Sequence, residues 1–179
     1  MYFMKAVLCI DNHGNIGING GLIFNIREDR NRFKEYITNK IILVGRKTYE
    51  SLPYNLTRKA SNVIVLTRNK EYKPKNNSYI VHNIDEFDWL CKKMRFNDDD
   101  IVIIGGAEIY NDLIPRCDEV FMTQVDTIVS DADTKVNMDI FESFRSKVVS
   151  KPKIVIDRNA SSQNRNEEVS ITFQYLYRC

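Results

Sequence analysis

Short apolar runs recur along the chain: KAVLCI (5–10), IILVG (41–45), VIVLT (63–67), SYIVH (78–82), IVIIGG (101–106) and EVFMTQV (119–125). Each has the length of a strand and little polar interruption, the pattern of strands covered on both faces. Between several of them lie stretches whose apolar positions repeat every three or four residues. In IDEFDWLCKKMRF, Ile84, Phe87, Leu90, Cys91 and Met94 share one helical face, which predicts a helix packed on the core. In FNIREDRNRFKEYI, residues 24–37, Ile26, Phe33 and Ile37 also share a face, but the fourth member of that stripe is Asp29. The alternation predicts an α/β fold with a central, mostly parallel mixed β-sheet and helices on both faces. Near the C-terminus, KIVID and VSITFQYLYR read as strands separated by the polar NASSQNRNEE, which predicts an antiparallel hairpin with a long loop closing the sheet. NHGNIGINGG, EYKPKNNS and FNDDD read as loops, and AEIYNDLI as a further helix.

A chain of 179 residues without repeats predicts a single domain spanning 1–179. The balance of 26 basic and 24 acidic residues has no long single-sign run, so no nucleic-acid partner is expected. The N-terminal MYFMKAVLCID is too short and too interrupted by Lys5 for a signal peptide. No later run approaches the roughly 20 apolar residues of a membrane span. A cytoplasmic location with no membrane partner is therefore expected. Cys9, Cys91, Cys117 and Cys179 are scattered without close pairs and read as buried or idle thiols. His13 and His82 lack ligand-spaced neighbours, so no metal site is expected.

Three segments carry candidate chemistry. In IIGGAEIY (103–110) a strand runs into Gly105-Gly106 and then a helical pattern. The missing side chains would let a diphosphate approach helix N–H groups, or they serve a tight turn for backbone reasons alone. In VGRKTYES (44–51) a strand ends at Gly45 and a helix is expected to start near Thr48, with Arg46 and Lys47 at its beginning. Arg68, at the end of the next strand, makes a third cation. Together they suit a 2'-phosphate and so NADPH rather than NADH, and singly they read as a solvated rim. Asp29 is either an acid in a first helical turn, paired with the dipole or with Arg32 three residues on, or a carboxylate lining an apolar cleft. In the second case desolvation raises its proton affinity, so that it can bind or protonate a nitrogen heterocycle.

Taken in order, CIDNHGNIGINGGLIFNIREDRNRFK, ILVGRKTYESL, VLTRN, IIGGAEIY, VFMTQVD and DADTKV resemble dihydrofolate reductase, from residue 5 to about 136. The resemblance implies a dihydrofolate reductase-like fold and a monomeric enzyme of tetrahydrofolate biosynthesis. It would transfer hydride from NADPH to C6 of 7,8-dihydrofolate. By the same resemblance Asp29 is the ionisable group of the pterin pocket, supported by Thr123, and helps deliver a proton to N5 through water. Phe33 would pack on the substrate rings, with Val7, Leu22, Phe24, Leu52, Ile104 and Tyr110 around the substrate. Gly45, Arg46, Lys47, Thr48, Leu66, Thr67 and Arg68 would hold the adenosine phosphates. Gly105, Gly106, Ala107, Glu108 and Ile109 would surround the diphosphate and nicotinamide ends, with the two glycines joined by a cis peptide. Val7, Ile104 and Tyr110 would also lie against the cofactor. Asn15 to Leu22 matches a mobile lid, in which Ile16, Gly17, Gly20, Gly21 and Leu22 would face the cofactor, and Asp133-Thr134 resembles the loop that steadies it.

The chain departs from the family pattern at several points. Ile23-Phe24 stands where Pro-Trp is usual, so an indole N–H donor is missing. Arg27 replaces a helix-opening proline. Arg30 stands beside the acid, either to pair with the substrate's glutamate tail or to point outward. The arginine expected to grip that tail is displaced in LTRKASNVIVL, with Arg58 and Lys59 as candidates. Another pterin or pyrimidine reductase on the same fold, and a non-enzymatic homologue that keeps the NADPH site, are the competing readings.

Overall fold

The structure, a computed structural model, describes residues 3–76, 78–96, 101–160 and 165–178. The strands are β1 (Met4–Ile10), β2 (Asn15–Ile18), β3 (Gly21–Leu22), β4 (Ile41–Gly45), β5 (Asn62–Leu66), β6 (Tyr79–Val81), β7 (Ile101–Ile103), β8 (Glu119–Val125), β9 (Thr134–Lys135), β10 (Arg145–Val148), β11 (Lys153–Ala160) and β12 (Arg165–Tyr177). The helices are α1 (Arg27–Ile37), α2 (Arg46–Ser51), α3 (Tyr54–Thr57), α4 (Ile84–Met94) and α5 (Ala107–Leu113). Among the described residues no helix is long and apolar enough to cross a membrane.

The main sheet runs in the order β10-β12-β8-β1-β7-β4-β5-β6, with β11 also paired to β12. From β8 to β6 every pairing is parallel, and β12 joins β8, β10 and β11 antiparallel. This is the mixed α/β sheet expected from the apolar runs. On one face α4 and α5 bury Phe87, Leu90, Ile109 and Leu113 against Ala6, Leu8 and Ile103. On the other, Ile37 of α1 and Tyr49 of α2 pack with Val7, Val44 and Val102. The period-two alternation of β1 sends Met4, Ala6, Leu8 and Ile10 to the first face and Val7 to the second.

Helix α4 begins at Asn83, whose side chain accepts from the Glu86 N–H at 2.8 Å, and ends at Arg95 in a left-handed conformation. Met94, on its expected core stripe, is 39% exposed, unlike Phe87, Leu90 and Cys91 of the same stripe. Helix α1 has no side-chain cap, but Glu28 and Asp29 occupy its first turn, where carboxylates oppose the exposed N–H groups. Ile26 and Ile37 of its stripe are 1% and 0% exposed, and Phe33 is half-buried. Each full burial contributes roughly 1.5–3 kcal/mol.

Two expectations are corrected. Helix α2 starts at Arg46, directly after Gly45, and not near Thr48, since the strand-to-helix turn is made by the single glycine. The polar stretch at 159–168 is not one long loop: β11 continues to Ala160 and β12 begins at Arg165, because cross-strand pairing outweighs polar composition there. The intervening residues 161–164, residues 97–100 of the expected FNDDD loop, Asn77 and Cys179 lie outside the described residues.

Candidate active site

Asp29 reaches toward the central strands from the first turn of α1. Parallel register sets Cys9 of β1 beside Thr123 of β8, and antiparallel register sets Thr123 beside Phe173 of β12. Thr123 is 4% exposed, and its side chain is hydrogen-bonded to the half-buried Asp29 carboxylate. Burial raises the proton affinity of Asp29 above the usual carboxylate value, while Thr123 and the Arg32 and Arg30 cations oppose that rise. Next along the same face lies an apolar surface of Val7 and Ile104, each 6% exposed, with Phe33 and Leu52 half-buried. The Tyr110 hydroxyl donates to the Val7 carbonyl at 2.6 Å, tying α5 to β1. A partly desolvated acid beside an apolar, aromatic wall can bind a flat nitrogen heterocycle and hold a proton for it.

The two glycine turns lie side by side. The Gly45 N–H donates to the Gly105 carbonyl at 2.7 Å, and Gly105-Gly106 is a cis peptide. A Cβ at Gly45 would stand 2.9 Å from Ile109 Cγ1, and one at Gly106 would stand 2.9 Å from Thr48 Oγ1. Gly105 has φ +104°, and a side chain there would meet the Tyr110 ring at 2.8 Å. The fold therefore brings Gly45, Thr48, Gly105, Gly106, Ile109 and Tyr110 together at a surface only glycines leave open. Helices α2 and α5 start on Gly45 and Gly106 without side-chain caps, so their first N–H groups are available to another acceptor. Ala107 and Glu108 form the first turn of α5.

The three cations do not form one free cluster. Arg46 pairs with Glu50 at 3.1 Å, Arg68 pairs with Glu108 at 2.9 Å, and Lys47 is exposed. Leu66 ends β5 and Thr67 follows it, 8% exposed. Arg30 points into solvent. Arg58 and Lys59 lie on the exposed turn after α3, where the Asn39 N–H donates to the Lys59 carbonyl at 2.8 Å and sets that turn beside the end of α1.

The glycine-bearing NHGNIGINGG before α1, expected to be a loop, is instead a ribbon held by backbone pairing, with β2 paired to β3 and to β9. Ile16 turns into the core at 8% exposure, a Cβ at Gly17 would stand 3.1 Å from Thr134 Cβ, and Gly20 has φ +78°. Asp133 accepts from the Asn19 N–H at 2.7 Å and donates its own N–H to the Gly17 carbonyl at 3.1 Å. Gly21 and Leu22 stand at the outer end, Leu22 71% exposed, whereas Phe24, 9% exposed, belongs to a core group with Ile23, Ile26, Val125 and Ile171. Phe24 thus supports the entry to α1 more than it opens onto a cleft. A shallow cavity of about 310 Å³ opens on another side of this ribbon, near His13 and Ser130, and none of the residues around Asp29 lines it.

Two buried acids escaped the motif reading. Asp11, 0% exposed, accepts from the N–H groups of His13, Asn15 and Val129 and from Asn15 Nδ2, at 2.7–2.9 Å. Asp157, 4% exposed, accepts from the Asn25 N–H at 2.8 Å and bridges Ile26. Period two in KIVID puts Asp157 on the face of Val155, a signal for an inward-facing acid. Asp11 had no such signal, because its donors come from a loop. For Arg32 the helical spacing shows only a possible partner of Asp29.

A sequence profile of the family described as "Dihydrofolate reductase" matches residues 3–150. The dihydrofolate reductase of Enterococcus faecium is 34% identical over 139 residues, 75% of this chain and 77% of that protein. That of Mycoplasma pneumoniae is 30% identical over 141 residues, 78% and 87% of the two chains. Among solved structures, the dihydrofolate reductase from Enterococcus faecalis complexed with NADP(H) and RAB-propyl superposes with a TM-score of 0.75 at 23% identity, over 99% of each chain. At that identity the likeness is one of fold.

Proposed function

The chain belongs to the dihydrofolate reductase family and reduces 7,8-dihydrofolate to 5,6,7,8-tetrahydrofolate with NADPH, and we propose that Asp29 is the residue through which it handles the proton of that reaction. The observation that carries this reading is a carboxyl of raised proton affinity, bonded to Thr123, at the end of an apolar wall of Val7, Ile104, Phe33 and Leu52.

The surface of Gly45, Gly105 and Gly106 fits NADPH, since a Cβ at Gly45 or Gly106 would close it and the uncapped starts of α2 and α5 offer donors to a diphosphate. Thr48, Ala107 and Ile109 would hold the diphosphate end, and Arg46, Lys47, Leu66, Thr67 and Arg68 the adenosine end. For that role Arg46 and Arg68 would exchange their ion pairs with Glu50 and Glu108 for the cofactor's phosphate. Exposed ion pairs of this kind are worth about 0–1 kcal/mol, so little opposes the exchange. When bound, NADPH supplies the hydride that goes to C6 of dihydrofolate.

The chain's own groups do the rest. The Asp29 carboxylate accepts from the 2-amino group and N3–H of the pterin, and Thr123 fixes its orientation. A proton taken up from solvent is delivered to N5 through water with the help of Asp29, which leaves C6 electron-poor. Phe33 and Leu52 cover the substrate rings, Ile104 and Tyr110 close the floor, and the ribbon of Gly17, Gly20, Gly21 and Leu22 excludes solvent. Arg58 and Lys59, beside the end of α1, would meet the glutamate tail, whereas Arg30 faces solvent. A single domain over all 179 residues, acting as a monomer in the cytoplasm, belongs to the same proposal.

The test is NADPH oxidation with dihydrofolate by the native chain and by Asp29→Asn across the pH range. We expect native turnover and a loss of roughly 10²-fold or more at neutral pH in the variant, the scale of general-acid catalysis, easing as solvent supplies protons in acid. Equal turnover of the two proteins at neutral pH would remove Asp29 from the proton path.

A further inference from the structure

Arg32 lies one helical turn beyond Asp29 on α1, half-buried and fixed from two sides. Its guanidinium stands 3.9 Å from the centroid of the Phe173 ring and donates from Nη2 to the Tyr36 hydroxyl at 2.7 Å. Phe173 is in register with Thr123, whose side chain is bonded to Asp29. The platform that holds the cation and the group that holds the carboxylate are therefore cross-strand neighbours. Guanidinium keeps its charge throughout the working pH range and stacks on aromatic faces, so a cation held this way presents a constant field.

We propose that Arg32 is a positioning residue for the reaction: clamped by Phe173 and Tyr36, it keeps a fixed positive charge one turn from Asp29 and lowers the pH at which that carboxyl exchanges its proton. The proposal rests on Asp29 being the proton-handling group of the site. Other groups facing Asp29 are unsuited to the task. From β1, the Cys9 thiol is pushed up by burial and then by Asp29, Asp157 and Asp11, so it stays neutral. From α5, burial likewise keeps the Tyr110 phenol neutral. Thr123 on β8 does not titrate in this range. On β11, Lys153 is turned to Glu28 at 3.5 Å, and Asp157 is an acid engaged with the Asn25 N–H. On α1 itself Arg30 is exposed, where water and salt screen it. Of the two cations that oppose the effect of burial on Asp29, Arg32 has the greater influence.

The experiment is a carboxyl titration by carbon NMR on the full chain labelled at aspartate, with the Asp29 resonance assigned by its absence in Asp29→Asn. An opposite charge in direct contact lowers a carboxyl by about 1–3 pH units, so a part-buried one a turn away accounts for about half to one unit. In Arg32→Met the midpoint should rise by that amount. In Arg32→Lys, which keeps the charge and loses the planar stack that fixes it, the midpoint should rise by less than in the methionine variant. Arg32→Gln, which can still bond Tyr36, serves the same comparison if the methionine variant does not fold. A native midpoint in the neutral variant overturns the proposal, as does a lysine variant that shifts as far as the neutral one, which would make the effect one of packing. Turnover of NADPH and dihydrofolate by the same proteins is read separately. Its absence in the native chain would refute the reductase reading, while the titration still decides the role of Arg32.

Discussion

Replacing Asp11 by alanine removes one acceptor from four donors at once: the N–H groups of His13, Asn15 and Val129 and the Asn15 side-chain amide. These bonds pin the base of the glycine ribbon to the segment after β8. Both Asn15 donors are enclosed by protein, whereas those of His13 and Val129 are part-buried, within reach of water. A buried donor left without a partner costs about 1–3 kcal/mol, so the Asn15 pair accounts for about 4 kcal/mol. For a chain of this length each kcal/mol lowers Tm by about 2–4 °C, which gives a drop of about 8–16 °C. Asp11→Asn keeps an acceptor for two of the donors but turns its own N–H groups toward the others, and should lose about half as much. Burial by itself would raise the Asp11 carboxyl, but the hydrogen bonds from Val129, Asn15 and His13 outweigh it and hold the group below its ordinary value. The sign follows: a depressed carboxyl contributes stability above its unfolded value near pH ~3.9 and loses it as pH falls through the folded value. The gap between native protein and Asp11→Asn should therefore narrow in acid. Calorimetry and urea unfolding of the three proteins, at neutral pH and below pH ~4, measure it. An alanine variant melting within about 2 °C of native at neutral pH would refute the accounting, as would a native–Asn gap that persists unchanged in acid.

Gly106→Ala places a methyl group 2.9 Å from Thr48 Oγ1. Overpacking of this kind costs about 1–3 kcal/mol, so NADPH binding followed by fluorescence should weaken by roughly 10- to 100-fold, and an affinity within twofold of native would count against the glycine surface as the cofactor's seat. Asp29→Asn should melt higher than native protein at neutral pH. A raised carboxyl makes the folded chain bind more protons than the unfolded one, so native stability falls as pH rises from the unfolded value near pH ~3.9 through the folded value, and the amide is spared that loss. The advantage should vanish in stronger acid, and an amide variant less stable than native at neutral pH would contradict the burial of Asp29.

The chain's own order of residues settled what depends on local periodicity. The runs at 41–45, 63–67 and 101–106 are nearly all apolar because strands covered on both faces have no polar side, and that alone called for an α/β sheet. The stripe of Ile26, Phe33 and Ile37 also drew attention to Asp29, since helical spacing is fixed by backbone geometry. Pairings between distant segments were not legible. Nothing near Arg68 in the sequence announces that it meets Glu108, and nothing near Asp11 announces donors from Val129. The strandward half of 159–168 was hidden by its polar composition, because ladder bonds with β11 and β12 do not depend on side-chain polarity. Arg32 shows the division most clearly. Its distance from Asp29 along the helix could be counted in the sequence, but its clamp could not, because Phe173 comes beside Thr123 only through the antiparallel register of β12. Spacing within one element is set by the bonds of the chain, whereas the field at a carboxyl is set by whichever strands the whole sheet brings up to it.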